Sequence, residues 1–208
     1  MKKKQRVYKT NKIIFAFIGA LLIAFSLSSC GKGDNSQSDS DFFSFDKSLH
    51  GMEVVDQELG LKFFPPVNWE LQQTLISKKI ESRTSANPTD HFVYKPTYVF
   101  FDDSSGALLS VGKVSTNDTT LAKSALLNYY KGMISDKLKN DKLISDTFIH
   151  SKIYFSQLRI EKYNLISYKV FFLNSKGEIL EFDYTVPSSF LDKIHPSIKS
   201  SIGSITLL

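Results

Sequence analysis

One cysteine, Cys30, serves the whole 208-residue chain. No internal disulfide can form, so any core must hold by packing and hydrogen bonding rather than by cross-links. Histidine is nearly as scarce. His50, His91, His150 and His195 lie at least 41 residues apart, and none has a second histidine or cysteine at metal-ligand spacing. Each reads as an isolated surface or turn residue, and neither a metal nor another cofactor is expected. A Gly-x-Ser-x-Gly elbow and a phosphate-cradling glycine loop are also missing. The apolar run Ile13 to Phe25 has thirteen residues, short of the roughly 20 that a helix needs to cross a bilayer core.

What is present begins at the N-terminus. Lys2, Lys3, Lys4, Arg6, Lys9 and Lys12 precede that run with no acidic residue among them, the n-region and h-region of an export signal. Leu27-Ser28-Ser29-Cys30-Gly31 follows, and it resembles the lipobox of bacterial lipoproteins. The resemblance implies that Cys30 receives a diacylglyceryl group and that signal peptidase II cuts before it. Small residues admit the backbone to a peptidase site, and only a thiol offers a soft nucleophile for lipid transfer. Two or three acyl chains, each buried methylene contributing about 0.8 kcal/mol, attach a protein stably. The competing reading is an uncleaved anchor from Ile13 towards Cys30, which would put Ser26, Ser28 and Ser29 in the bilayer. Expected, then, is an exported protein held by lipid on the cell membrane or the outer membrane.

The net charge of +5 belongs to the signal, since six of the 26 basic side chains and none of the 21 acidic ones precede Cys30. The remaining 20 and 21 give the mature chain a net charge of −1. Its lysines and aspartates are interspersed, and nucleic acid is not an expected partner.

Residues 1–29 therefore read as the signal peptide, 30–41 as the lipidated cysteine and a flexible polar tether, and 42–208 as a single domain. Phe42, Phe43 and Phe45 directly follow the polar tether and are candidates to dock its end onto the domain. Within the domain, Leu59–Phe64 reads as a strand stopped by Pro65 and Pro66, and Leu71–Ser82 as a helix broken at Asn87-Pro88. Tyr98–Phe101 and Ala107–Val114 form a strand pair around the turn Asp102–Gly106. Asn117-Asp118-Thr119 offers N-caps to a helix with Leu121, Ala125, Leu126, Tyr129, Met133, Ile134 and Leu138 at its apolar spacing. Strands at 143–150, 153–160, 165–173 and 179–186 predict an antiparallel meander. Two short helices, 188–193 and 196–201, and an apolar tail close the chain. The expected class is α+β, an antiparallel sheet flanked by helices with Trp69 and the face around Leu126 buried.

Leu59-Gly60-Leu61-Lys62-Phe63-Phe64-Pro65 with Trp69, then a strand pair, a long helix, a meander and the closing segment Pro196–Ile202, is similar to the PsbP family over roughly residues 53–208. The resemblance implies an α/β/α sandwich and a binding or assembly module. It matches only structural positions, Gly60, Pro65 and Trp69, so no functional residue carries over.

Ser44-x-x-Lys47 and Ser110-x-x-Lys113, with Ser85-Ala86-Asn87, match fragments of an acylating-serine pattern but lack its Lys-Thr-Gly strand. Asp102-Asp103-Ser104 lacks a calcium loop and its closing glutamate, so turn chemistry accounts for it. Phe171-Phe172 reads as core. No catalytic residue is expected. The function predicted is a non-catalytic binding or assembly module with a protein partner in the cell envelope, the alternative being an envelope hydrolase or small-ligand carrier.

Overall fold

The computed structural model describes residues 41–72, 91–116, 118, 120–122 and 125–208, which belong to the compact unit Asp39–Leu208. Its strands are β1 (Val54–Asp56), β2 (Leu61–Phe63), β3 (Glu70–Leu71), β4 (Phe92–Asp102), β5 (Ala107–Thr116), β6 (Lys142–His150), β7 (Ile153–Lys162), β8 (Leu165–Leu173), β9 (Ile179–Pro187) and β10 (Thr206–Leu207). Its helices are α1 (Leu126–Lys137) and α2 (Leu191–Gly203). Seven strands form one antiparallel sheet in the order β3-β4-β5-β9-β8-β7-β6, and β1-β2-β10 form a small second one. The fold is α+β, with a helix on each face of the large sheet.

Period-2 alternation divides the core between those faces. Leu180, Phe182, Tyr184 and Val186 of β9 and Tyr168, Val170 and Phe172 of β8 join Ile194, Ile198 and Ile202 of α2 and Leu61 and Phe63 of the small sheet. On the opposite face Phe92, Tyr94, Val114, Leu158, Ile160 and Phe171 meet Tyr130 and Ile134 of α1. Strand β4 serves both faces because its register shifts between Pro96 and Tyr98. A proline donates no ladder hydrogen bond and is tolerated at such a bulge.

Chain 41–50 straps across α2. Phe42 stacks on Phe148 at 5.0 Å, and Phe43 lies 4.1 Å from the His150 ring. Ser44 N donates to Lys199 O at 3.0 Å, and Asp46 N to Ser200 Oγ at 2.8 Å. Phe42 and Phe43 thus dock, as expected of the tether's end, whereas Phe45 is 58% exposed. Gly203 makes this approach possible, because a Cβ there would fall 1.8 Å from Ser44 O.

Several elements differ from their sequence-based expectation. Leu71 sits in strand β3, paired with Phe100, rather than opening a helix; the rest of that expected helix, with Asn87-Pro88, lies outside the described residues. Helix α1 starts only at Leu126, with Ala125 as an N-cap that makes no side-chain bond. Asp118 instead closes a local turn, accepting from Thr120 N at 2.9 Å. Tyr130, not Tyr129, is the buried tyrosine of α1. The two closing helices are a 3-10 turn, Ser188–Phe190, and one continuous helix running through Pro196. Burial of Ile194, Ile198 and Ile202, each contributing about 1.5–3 kcal/mol, outweighs the ~3 kcal/mol that an interior proline costs. Pro196 itself is exposed.

Candidate functional site

The face of the sheet beneath α1 is not uniformly apolar. Strand β9 alternates Leu180, Phe182 and Tyr184 on one face with Glu181 and Asp183 on the other. The register places Lys169 of β8 directly across from Asp183, and α1 covers the group. Lys169 Nζ donates to Glu181 at 2.8 Å and to Asp183 at 2.6 Å. Ser167 Oγ donates to Asp183 at 2.5 Å, the Tyr130 hydroxyl donates to Glu181, and Tyr94 OH lies 2.7 Å from Ser110 Oγ.

Glu181 is 1% exposed, and the cation and hydroxyl that donate to it offset the cost of burying a carboxyl group. Burial by itself pushes the Lys169 ammonium down, but Asp183 and Glu181 outweigh it and raise the group well above the ordinary lysine range. Burial, then the charge of Glu181, lifts the Tyr94 and Tyr130 phenols well above theirs. A lysine or tyrosine that worked as nucleophile or base would need a shift in the other direction. This network holds its protons and anchors α1 to the sheet.

Beside it, between α1 and the start of β4, opens a predominantly apolar cleft of about 600 Å³. Phe92, Leu121, Tyr129 and Met133 supply its apolar lining, and its polar wall is made by His91, Asp118, Asn128, Asp136 and Lys137. Hydrogen bonds from the Thr120 hydroxyl and N–H, with a smaller contribution from His91, hold the Asp118 carboxyl below the usual carboxylate range. Gly132 lies on the wall, and a Cβ built on it would meet nothing within 4 Å.

The sequence-matched serine motifs do not form sites. Ser110 is buried against Tyr94, while Lys113, three residues on and therefore on the other face, pairs with Glu178. Ser44 and Lys47 belong to the strap; Cys30 and Ser85–Asn87 lie outside the described residues. Asp102 accepts from Ser104 N at 3.1 Å and from Ser105 Oγ at 2.5 Å, the turn chemistry expected.

Two histidines are structural partners rather than isolated. His50 Nε2 lies 2.8 Å from Ser200 Oγ, and His150 Nε2 donates to Gly203 O at 2.8 Å. His195 stacks on Tyr168 at 5.4 Å. Among the described residues no three His, Cys, Asp or Glu side chains are placed to hold a metal ion, and no helix is long and apolar enough to cross a membrane.

No protein-family model matches the chain, and no curated protein matches it in sequence. Among solved structures it is similar to cyanobacterial PsbP (CyanoP) from Synechocystis sp. PCC 6803, at 11% identity and a TM-score of 0.47, covering 81% of this chain and 99% of that one. It is also similar to LpqN, involved in cell envelope biogenesis of Mycobacterium tuberculosis, at 12% identity and a TM-score of 0.44, covering 76% and 84%. A protein from Bacteroides thetaiotaomicron VPI-5482 gives 12% identity and a TM-score of 0.39, covering 76% of this chain and 49% of that one.

Proposed function

We propose that this chain is a lipid-anchored, non-catalytic binding or assembly module of the bacterial cell envelope, attached through Cys30 and presenting the α1 side of residues 42–208 to a protein partner. One observation carries the reading: the ionisable groups that do converge, Lys169, Glu181 and Asp183, are engaged in ion pairs with one another beneath α1, while the open cleft next to them exposes mainly apolar surface. Such a surface recognises shape and apolar area rather than moving protons.

The cleft also favours a second reading. Its volume of about 600 Å³ suits a small amphiphile, because ligand pockets run to roughly 300–1,000 Å³. Photo-crosslinking groups at Tyr129 and Met133, used in native membranes alongside native mass spectrometry of the purified protein, separate the two. One dominant crosslinked protein, lost in Leu121→Glu, supports the assembly module. A co-purifying amphiphile lost in the same variant, with no protein crosslink, replaces it with the carrier.

The anchor has its own test. Cys30→Ala should abolish metabolic lipid labelling and release the chain from membranes. A Cys30→Ala protein that keeps its N-terminus and still sediments with membranes would put an uncleaved anchor in place of the lipid.

A further inference from the structure

The edges of the two sheets differ in what they offer to another strand. Among the described residues, β3 ends the large sheet on one side with two residues, and the outer strands of the small sheet, β1 and β10, have three and two. Such short edges give a pairing strand little to hold. Strand β6 ends the large sheet on the other side with nine, Lys142–His150. It contains neither proline nor glycine and pairs with β7 in unbroken register, so it lacks the breakers and bulges that blunt an edge. Alternate residues of an edge strand turn both N–H and C=O away from their one neighbour. Among the described residues no backbone group outside the ladder with β7 bonds those of β6. The edge is a row of donors and acceptors ready for a further strand.

Its side chains specify which strand. Lys142, Ile144 and Asp146 share the face of Phe148. Ile144 is 39% exposed, and Asp146 has no ion pair or hydrogen-bonding side chain among the described residues. Lys142 Nζ reaches Glu161 of β7 at 2.7 Å, but Arg159 reaches the same carboxylate at 2.8 Å, so Glu161 keeps a cation when Lys142 is shared. Antiparallel pairing of two β6 strands about a two-fold axis at Ile144 sets Lys142 of each copy across from Asp146 of the other, and Ile144 across from itself. Opposite charges and apolar side chains directly opposed both favour that register. An axis at Leu143 or Ser145 sets a charge across from Ile144, and one at Asp146 opposes two carboxylates. Further along, Phe42 and Phe43 of the strap already cover Phe148 and His150.

We infer that β6 is a dimerisation edge, at which two copies of this chain pair antiparallel about Ile144 and continue the large sheet from one copy into the other. The contact is self-complementary, as a two-fold interface requires. The α1 cleft stays open, because Phe92 on its wall belongs to β4, towards the opposite end of the strand order.

Chain 30–208 carrying Cys30→Ser has no thiol and contains the whole compact unit Asp39–Leu208. Sedimentation velocity over a concentration series should show it passing from monomer to dimer. Asp146→Lys sets lysine against Lys142 and should leave the chain monomeric where the parent is dimeric. Lys142→Asp combined with Asp146→Lys exchanges the charges and should recover the dimer. In the same background Ile144→Cys meets its own copy and should form a disulfide-linked dimer on mild oxidation. Thr147→Cys, which faces Asp141 of the other copy, lies too far from its counterpart and should not. A parent that stays monomeric throughout, a dimer indifferent to Asp146→Lys, or equal cross-linking of Ile144→Cys and Thr147→Cys overturns the inference.

Discussion

Lys169 balances two carboxylates, and the asymmetry of that trio sets the effect of each substitution. Removing the charge of Glu181 leaves Lys169 with Asp183 and leaves Tyr130 an amide acceptor. Glu181→Gln should therefore cost about 1.5–3 kcal/mol, the range for a hydrogen bond to a charged group. Lys169→Met instead leaves Glu181 and Asp183 without their cation under a helix, and should cost more, about 3–5 kcal/mol as for a broken buried pair. Urea unfolding of the two variants checks the order. If Lys169→Met were the milder change, the network would not be holding α1 down by charge. At Gly203 the constraint is steric, since a Cβ would fall 1.8 Å from Ser44 O. Gly203→Ala should dislodge the strap at a cost of about 1–3 kcal/mol, read as early proteolytic cleavage within 41–50 while the far-ultraviolet spectrum persists.

Of the two helices, α1 is the less secured. It buries only Tyr130 and Ile134, whereas α2 buries three isoleucines and is bonded to both the strap and Phe64, the residue after β2. Helix α1 should show the faster amide exchange. Gly132 weakens it further without a steric requirement, because the space for a Cβ is open. Gly132→Ala should raise stability by about 0.5–1 kcal/mol, the helix-propensity difference, measured as a higher urea midpoint. A lower midpoint would mean that this glycine serves the backbone in a way its surroundings do not reveal. Helical spacing made α1 legible in the sequence, but its start was not: Asp118 has the chemistry of an N-cap and uses it on Thr120 instead. Local side-chain hydrogen bonds compete with helix initiation, and sequence alone does not say which prevails.

For the molecule as a whole, buried phenols set an alkaline limit. Burial, together with the hydrogen bond donated to Asp56, pushes Tyr98 up to about 12. Tyr94, Tyr130 and Tyr184 are raised too, burial being the first cause in each. A folded-state value above the unfolded one contributes stability that is fully present below the unfolded pKa, about 10 for tyrosine, and is lost as pH climbs towards the folded value. Lys169, raised by its carboxylates, acts in the same direction. Between about pH 10 and 12 each of the buried tyrosines should remove up to ~1.4 kcal/mol per pH unit. Phenolate absorbance should therefore rise in two stages, exposed tyrosines first and the buried group together with loss of circular dichroism. A single smooth titration with intact structure would contradict this.

The sequence by itself determined the class of the fold and most of the sheet. Alternating β-rich runs punctuated by turn residues such as Asp102–Gly106 require strands, and short connections require antiparallel neighbours. It also determined that the chain must hold together without cross-links, since Cys30 has no cysteine to pair with. Only the tertiary structure decided which polar residues are buried. Glu181 and Asp183 alternate with apolar neighbours just as a solvated strand face would. What reverses their meaning is the register that sets Lys169 opposite Asp183 and the helix laid over them. Pro196 was misleading for the same reason: a local helix breaker yields when isoleucine burial on both sides of it, a non-local quantity, exceeds the local cost. Periodicity reports which residues share a face. What covers that face depends on contacts between segments far apart in the chain, which periodicity does not encode.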